Sequence, residues 1–267
     1  MFFSDYHIHT NFSSDCQIPM EDMVKQAINL NLSEIAITDH VDFDYPDLDF
    51  PFVLDYDEYV KSIEMLKEKY KSKINIITGI EMGLQPHEKK RIDTFLSDNY
   101  FDFVIGSTHC VNKQAVYEDS FFEGKEKNEA YMEYFEDVLN SVKMFDTFCV
   151  YGHIDYINRY GHYKDKTMDI LKYMDIIEEI LKVLISKGKG IEINSSGIRY
   201  GLGYVNPKIE VLKRYKELGG EIITIGSDSH KLLHMANNFK EAYEAFQEAG
   251  FEYLTVFRGK TPEFIKI

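Results

Sequence analysis

Nine side chains of metal-binding types follow short apolar runs along the chain. They are His7, His9, Asp15, His40, Glu81, His109, His153, Asp228 and His230. Neutral imidazole combined with carboxylate is the ligand mixture of zinc, manganese and iron sites, and a carboxylate can bridge two ions whereas an imidazole cannot. A lone histidine at a strand end is more often a hydrogen-bonded structural residue, but a whole set of them favours a metal site. Nine ligands are too many for one tetrahedral ion, and they suffice for three divalent metal ions.

The elements that must position these side chains are seven short apolar runs separated by stretches of helical periodicity. The runs cover residues 2–7, 34–40, 74–82, 102–109, 148–155, 190–195 and 221–228. Predicted helices cover residues 20–31, 56–71, 128–145, 168–187 and 208–218. Strict alternation of strand and helix predicts parallel pairing, which fits a closed barrel or a doubly wound sheet. Each run ends in a ligand-type or hydrogen-bonding side chain, and the C-terminal ends of barrel strands converge on one face, which favours an α/β barrel.

Composition predicts a globular chain with a sizeable core. Of the 267 residues, 44% are hydrophobic and 28% are charged, which excludes disordered and fibrous classes. No linker, low-complexity tract or repeat interrupts the alternation, so we expect a single domain over residues 1–267. A last apolar run, residues 253–257, fits either an eighth strand or a terminal edge strand.

Charge and sorting signals predict a cytoplasmic protein that acts on a small molecule. Thirty Lys and Arg against 45 Asp and Glu give a net charge of −15, which argues against nucleic acid or an anionic membrane as the main partner. The N-terminus lacks the features of a signal peptide, and no apolar run reaches the roughly 18 residues of a membrane span. The three cysteines are widely spaced without a CxxC pair, which fits reduced thiols.

Six ordered motifs carry a family resemblance. They are His7-Ile8-His9-Thr10 with Ser14-Asp15, Ile37-Thr38-Asp39-His40, Gly79-Ile80-Glu81, Gly106-Ser107-Thr108-His109, Gly152-His153, and Gly226-Ser227-Asp228-Ser229-His230. Together they resemble the PHP (polymerase and histidinol phosphatase) superfamily and, within it, the histidinol-phosphate phosphatase branch. The resemblance implies a distorted (β/α)₇ barrel with a trinuclear metal centre at the C-terminal ends of the strands.

The resemblance also implies how the ligands divide among three ions. His7, His9, Glu81 and Asp228 would hold the first ion; Glu81, as a bridge, with His109 and His153 the second; Asp15, His40 and His230 the third. Related proteins often have His where this chain has Asp15. A carboxylate is a harder ligand than imidazole, which shifts the preference of the third site toward manganese or iron over zinc.

The chemistry implied is hydrolysis of a phosphate monoester by a hydroxide that bridges two ions. Two arginines, Arg159 and Arg199, follow strand ends, and the guanidinium fork matches phosphate, so we expect both to clamp it. Glu81, Asp228 and His230 complete the predicted catalytic set, with His230 also expected to contact substrate. The implied reaction is conversion of L-histidinol phosphate to L-histidinol and inorganic phosphate in histidine biosynthesis.

The loop after the second strand, residues 40–47, offers the carboxylates and aromatic rings that suit an imidazole and an ammonium group. We expect Asp42 and Phe43 to bind substrate, against the alternative of an acidic loop in solvent. His162 and Tyr163, close to Arg159, are expected at the mouth of the site.

Two competing functions remain at this point. The first is a PHP-type phosphoesterase that acts on another small phosphate monoester or on oligonucleotide ends, although the net charge and the acidic loop count against the nucleic-acid version. The second is a non-catalytic metal-binding scaffold. The complete ligand set together with both arginines argues against that scaffold, which would not need to keep them.

Overall fold

A computed structural model describes residues 3–47, 49, 51–161, 163 and 168–267 of the chain. Twelve strands lie within these residues. They are β1 (Ser4–Ile8), β2 (Glu34–Ile37), β3 (His40–Val41), β4 (Asn75–Gly83), β5 (Phe103–Ser107), β6 (Cys110–Val111), β7 (Gln114–Ala115), β8 (Val150–Tyr151), β9 (Gly190–Asn194), β10 (Ile223–Gly226), β11 (Tyr253–Arg258) and β12 (Thr261–Lys266).

The described α-helices connect these strands and pack around them. They are α1 (Met20–Asn29), α2 (Tyr56–Tyr70), α3 (Lys89–Asp98), α4 (Asp119–Phe122), α5 (Lys127–Met144), α6 (Met174–Ser186), α7 (Ser196–Arg199), α8 (Ile209–Glu217) and α9 (Phe239–Glu248). Shorter 3₁₀ turns cover Pro86–Glu88, Tyr156–Arg159, Ile170–Tyr173 and Leu232–His234. Among the described helices, none combines the length and apolarity needed to cross a membrane.

Seven parallel strands form a nearly closed barrel, which confirms the predicted (β/α)₇ architecture. The strand order is β1-β2-β4-β5-β8-β9-β10, and the short strand β3 pairs with the far end of β4. A parallel bridge between Ile8 and Ser229 brings the last strand back beside the first. Strands β2, β5, β9 and β10 are buried at every position, as their continuous apolar character predicts.

Helix sequences account for where the helices pack and begin. Helix α6 turns one apolar stripe, Ile177, Ile180, Leu181 and Leu184, into the core. Helix α2 begins at the N-cap Asp55, whose carboxylate accepts a hydrogen bond from the backbone N–H of Glu58 at 3.1 Å. The helices thereby cover the outside of the barrel and leave the C-terminal ends of the strands free to build a site.

Three strand predictions differ from the structure in detail. The run 34–40 divides into β2 and β3, and the run 148–155 keeps only two residues in β8. Strand β8 stops early because the backbone turns at His153, whose φ is 21°, and then enters a 3₁₀ turn. The run 253–257 lies in β11, which pairs with β12 in an antiparallel hairpin outside the barrel order, so it is a terminal piece and not an eighth barrel strand.

Candidate metal centre

The C-terminal ends of the barrel strands bring the nine predicted ligands into one cluster around Glu81. The Oε2 atom of Glu81 lies 3.0 Å from His7 Nε2, 3.4 Å from His9 Nε2 and 3.0 Å from His40 Nδ1. Its Oε1 atom lies 3.3 Å from His109 Nε2 and 3.0 Å from His153 Nε2. One carboxylate therefore faces two groups of imidazoles with its two oxygens, which is the geometry that a bridging ligand requires.

The remaining ligands close the cluster on the side of the cavity. Asp228 Oδ1 lies 3.5 Å from His9 Nε2 and 3.6 Å from His230 Nδ1. Asp15 Oδ2 lies 3.1 Å from His230 Nε2 and 3.8 Å from His40 Nε2. These contacts place Asp15 beside the two histidines with which the family resemblance groups it.

The donor atoms suit metal ions. Four groups whose ligand atoms lie within 4.8 Å of one another share the cluster: His7, His9 and Glu81; Glu81, His109 and His153; His9, His40 and His230; and His40, Asp42 and His109. His9 Nε2, His40 Nδ1 and His230 Nε2 are buried and lie 3.0 to 3.5 Å from carboxylate oxygens, yet none of the three makes a hydrogen bond of normal geometry with the described residues. Buried polar atoms are normally satisfied, so these three nitrogens are available as ligands.

At His7 and His109, burial would lower the pKa, but the facing carboxylates raise it well above its usual range. At His9, His40 and Glu81, electrostatics favour the protonation states that bind metal. Burial and the neighbouring His230 lower the pKa of His9 to about 4, and burial and His9 lower the pKa of His40 to about 3. Burial would raise the pKa of Glu81, but the surrounding imidazoles hold it well below its usual range. Neutral imidazole and ionised carboxylate are the forms that bind metal, so these residues need no large change in protonation to do so.

Arg159 is buried against the cluster. It donates a hydrogen bond to Asp228 Oδ2 at 3.0 Å and another to Ser196 Oγ. The rings of Tyr156 and Tyr200 lie 4.9 and 4.6 Å from its guanidinium carbon. Burial alone would lower the pKa of Arg159, but the neighbouring Asp228 raises it. Burial alone would raise the pKa of Asp228, but Arg159 holds it well below its usual range. The site thus holds one fixed positive charge.

Arg199 supports the turn that carries Asp228. Its guanidinium donates to the carbonyl oxygens of Ser227 at 3.1 Å and of Asp228 at 2.9 Å. Asp228 has a left-handed backbone with φ of 54°, a conformation that costs a non-glycine residue energy and needs such support. A guanidinium has five N–H donors, so Arg199 retains donors for a ligand.

A cavity of about 500 Å³ opens above the cluster. Ligand side chains form its floor, and Arg159 and Arg199 line one part of its wall. Much of the remaining wall is aromatic: Tyr45, Phe52, Tyr117, Tyr156, Tyr160 and Tyr200. The arginines and the floor suit an anionic group, and the aromatic wall suits a flat ring.

The expected substrate contacts in the loop after the second strand are corrected by the structure. Asp42 is buried, and its carboxylate faces His109 Nδ1 instead of the cavity. Phe43 turns to the other side of the strand, where its ring contacts Arg91 at 4.0 Å and Phe95 at 5.7 Å in a separate cleft. Tyr45, two residues further along, lines the cavity in their place.

Two further expectations concerned the mouth of the site. Tyr163 does not line the cavity, because its ring packs against Phe122 and Tyr131 and its hydroxyl donates to the carbonyl of Lys125 at 3.1 Å. His162 lies outside the described residues.

Sequence reasoning missed Glu192, which binds two parts of the cluster. Its Oε1 lies 2.6 Å from His7 Nδ1, and its Oε2 accepts a hydrogen bond from the backbone N–H of His153 at 3.0 Å. The available signal was a charged residue inside the apolar run Gly190-Ile191-Glu192-Ile193. A buried charge in a strand needs a partner, and here the partner is a predicted ligand.

Comparisons with known proteins agree with this geometry. The model of the PHP domain family matches residues 5–196. A histidinol-phosphatase of Lactococcus lactis subsp. lactis is 37% identical over 261 residues, which is 96% of this chain and 94% of the relative. A probable histidinol-phosphatase of Clostridium acetobutylicum is 36% identical over 89% of this chain and 90% of its own length. A crystal structure of histidinol phosphate phosphatase from Lactococcus lactis, complexed with zinc, L-histidinol and phosphate, superposes with a TM-score of 0.91 and 36% identity over 98% of both chains.

Proposed function

The chain belongs to the PHP domain family, and from that premise we propose that it is a metal-dependent phosphatase that hydrolyses L-histidinol phosphate to L-histidinol and inorganic phosphate. One observation carries the proposal. Six of the nine predicted ligands line the same cavity as Arg159 and Arg199, namely Asp15, His40, His109, His153, Asp228 and His230. The similar Lactococcus structure binds zinc, L-histidinol and phosphate, which supports both the metal and the substrate, and the reaction belongs to histidine biosynthesis.

We propose that three divalent ions bind, with zinc, manganese and iron as the candidates. His7, His9, Glu81 and Asp228 would hold the first, Glu81, His109 and His153 the second, and Asp15, His40 and His230 the third. Their close approach to one another supports this division. Divalent ions at such a site supply the positive charge that activates water at neutral pH and neutralises phosphate oxygens.

The chain's own residues hold and orient the substrate. The guanidinium of Arg159 is fixed by Asp228 and Ser196, so it binds a phosphoryl group without first losing side-chain freedom. Arg199 offers its remaining N–H groups to the same anion. His230 reaches the cavity beside Asp15 and is in place both as a ligand and as a contact for the phosphate. Catalysis in this arrangement depends on Glu81, Asp228, His230 and the two arginines.

We further propose that the chain acts as one domain in the cytoplasm on a small molecule and not on nucleic acid. One connected set of buried apolar side chains, from Tyr6 to Phe257, supports a single domain. Three free and buried cysteines, Cys16, Cys110 and Cys149, fit a reducing compartment. The net charge of −15 disfavours a polyanionic partner.

The experiment is phosphate release from L-histidinol phosphate beside 4-nitrophenyl phosphate. The protein is reconstituted separately with zinc and with manganese, and a chelator-treated sample is the blank. We expect a strong preference for L-histidinol phosphate that disappears with the chelator. Equal or greater activity on the aryl phosphate would agree with a metal-dependent phosphoesterase but would overturn the assignment of L-histidinol phosphate as its substrate. Full activity after complete removal of metal would overturn the metal dependence.

A further inference from the structure

Two buried carboxylates lie directly behind histidines of the metal cluster. Asp42 Oδ1 and Oδ2 lie 3.0 and 3.2 Å from His109 Nδ1, and Glu192 Oε1 lies 2.6 Å from His7 Nδ1. The opposite nitrogen, Nε2, of each histidine points at Glu81. A carboxylate can only accept a hydrogen bond, so each pair requires a proton on Nδ1, and Nε2, on the side of Glu81, is the nitrogen left to bind a metal ion.

Each carboxylate occupies space that only a glycine leaves open. A β-carbon at position 83 would lie 1.8 Å from Asp42 Oδ1 and 2.4 Å from its Cγ atom. A β-carbon at position 226 would lie 2.4 Å from Glu192 Oε1 and 2.4 Å from His7 Cβ. Neither glycine has a positive φ, so the backbone does not demand glycine at either position. Glycine is needed for steric reasons: a β-carbon would collide with Asp42 at position 83 and with Glu192 and His7 at position 226.

Strand pairing explains why Asp42 reaches this place. In the parallel pair β3 and β4, His40 is opposite Glu81 and Val41 is opposite Met82, so the next residue, Asp42, stands beside Gly83. The carboxylate then crosses the strand over the glycine and reaches His109 at the end of the neighbouring strand β5. Glu192 in β9 is opposite Thr224 in the paired strand β10, and its carboxylate passes Gly226, two residues further along β10, to reach His7 in β1.

We infer that Asp42 and Glu192 are positioning residues, each admitted by its own glycine, that fix one histidine on either side of Glu81 with its Nε2 presented to metal. The inference rests on the metal-dependent function proposed above. His7 belongs to the ligand group on one face of Glu81 and His109 to the group on the other. A carboxylate behind a ligating imidazole fixes its orientation and strengthens it as a ligand, and loss of such a partner typically weakens metal binding 10- to 100-fold.

The first test measures zinc binding without substrate in four variants: Asp42→Asn, Asp42→Ala, Gly83→Ala and the double variant Asp42→Ala/Gly83→Ala. Competition with a chromophoric chelator gives the dissociation constants. We expect Asp42→Ala and Gly83→Ala each to weaken retention of one ion about 10- to 100-fold, and Asp42→Asn somewhat less. The double variant should bind no more weakly than Asp42→Ala, because the added methyl group then has no carboxylate to displace.

The matched control is Asp49→Asn, an exposed aspartate further along the same loop and outside the groups of candidate metal ligands. It should bind zinc like the unmodified chain. Unchanged zinc affinity in folded Gly83→Ala, or fully additive losses in the double variant, would overturn the inference. Because no substrate is present, a wrong substrate assignment leaves this result unaffected.

The second test observes the tautomers of His7 and His109 directly. It does not need Gly83→Ala, so it tests the inference even if that variant does not fold. Ring-¹⁵N-histidine NMR of the zinc-loaded protein should show hydrogen-bonded Nδ1–H signals for His7 and His109. Asp42→Asn should shift the His109 signal and leave that of His7 in place, and Glu192→Gln should do the converse. A merely structural role would change stability without this selectivity, so identical spectra for the variants and the unmodified chain would reject the inference.

Discussion

The two parts of the ligand cluster differ in their access to water. In the floor set, His7, His9, Glu81, His109, His153 and Asp228, no side chain is more than 7% exposed. In the rim set, the exposed fractions are 10% for His40, 21% for His230 and 32% for Asp15. A buried charge without compensation is costly, whereas an open site lets water replace a ligand. We therefore expect the floor set to hold its ions persistently and the rim set to exchange its ion readily.

The largest effect should come from Glu81→Gln, which breaks the floor set at its centre. A neutral amide presents one acceptor oxygen, so it cannot serve the imidazoles on both faces. We expect kcat to fall by roughly 10³-fold or more, together with a loss of bound metal. Steady-state kinetics and elemental analysis test this. The control is Glu88→Gln on the 3₁₀ turn after β4, which should keep its activity, and full activity of Glu81→Gln would remove Glu81 as a bridge.

The next largest effect should come from the two arginines that line the cavity, Arg159 and Arg199. Arg159→Ala removes a guanidinium that is fixed by Asp228, and we expect kcat/KM for L-histidinol phosphate to fall roughly 10²-fold. Arg199→Ala should also lower kcat/KM, since it removes the proposed phosphate contact and the support of the Asp228 turn. Arg91→Ala, whose guanidinium stacks on Phe43 in the separate cleft, is the control. Unchanged kinetics for either cavity arginine would demote it to a structural residue.

The floor set was predictable from sequence for a physical reason. Parallel barrel strands end on one face, so polar residues that follow apolar runs must meet there whatever their separation in the chain. Glu81 and His109 were accessible in this way, as was the barrel. The division of the ligands among three ions comes from the family resemblance and stays a prediction. Glu192, the carboxylate behind His7, carried a weaker signal, because a charge in the middle of a strand does not indicate its partner.

Side-chain direction in the loop after β3 was not predictable. Asp42 and Phe43 are neighbours, yet one faces His109 and the other faces Arg91. Their directions follow from the register in which the two-residue strand β3 pairs with the end of β4. A strand of two residues is too short to show a periodicity from which that register could be predicted. The aromatic residues that do line the cavity come from several distant loops, so no local pattern identifies them.

A graded chelator titration tests the rim set, with a smaller expected effect. We expect one ion per chain to leave the unmodified protein at a lower chelator concentration than the others. Asp15→Asn should lower that concentration further, by about 10-fold, and leave the remaining ions in place. Elemental analysis at each step gives the result. Simultaneous loss of all ions, or equal effects of Asp15→Asn on every ion, would contradict the distinction between floor and rim.

The smallest effect comes from a buried carboxylate outside the cluster. Asp137 in α5 has a pKa raised to about 7 by burial and by Glu133, and Asp137 Oδ2 has no hydrogen-bond partner among the described residues. A pKa raised by folding means that the stabilising form is protonated, so this contribution is complete in acid and is lost as pH rises toward 7 and above. Asp137→Asn should therefore stabilise the fold at pH 8 by on the order of 2 kcal/mol and have little effect near pH 4. Urea unfolding of the metal-free protein at both pH values measures the difference, with exposed Asp98→Asn as the control. An equal effect at both pH values would show that this carboxylate, like those beside the imidazoles, has a partner that compensates its charge.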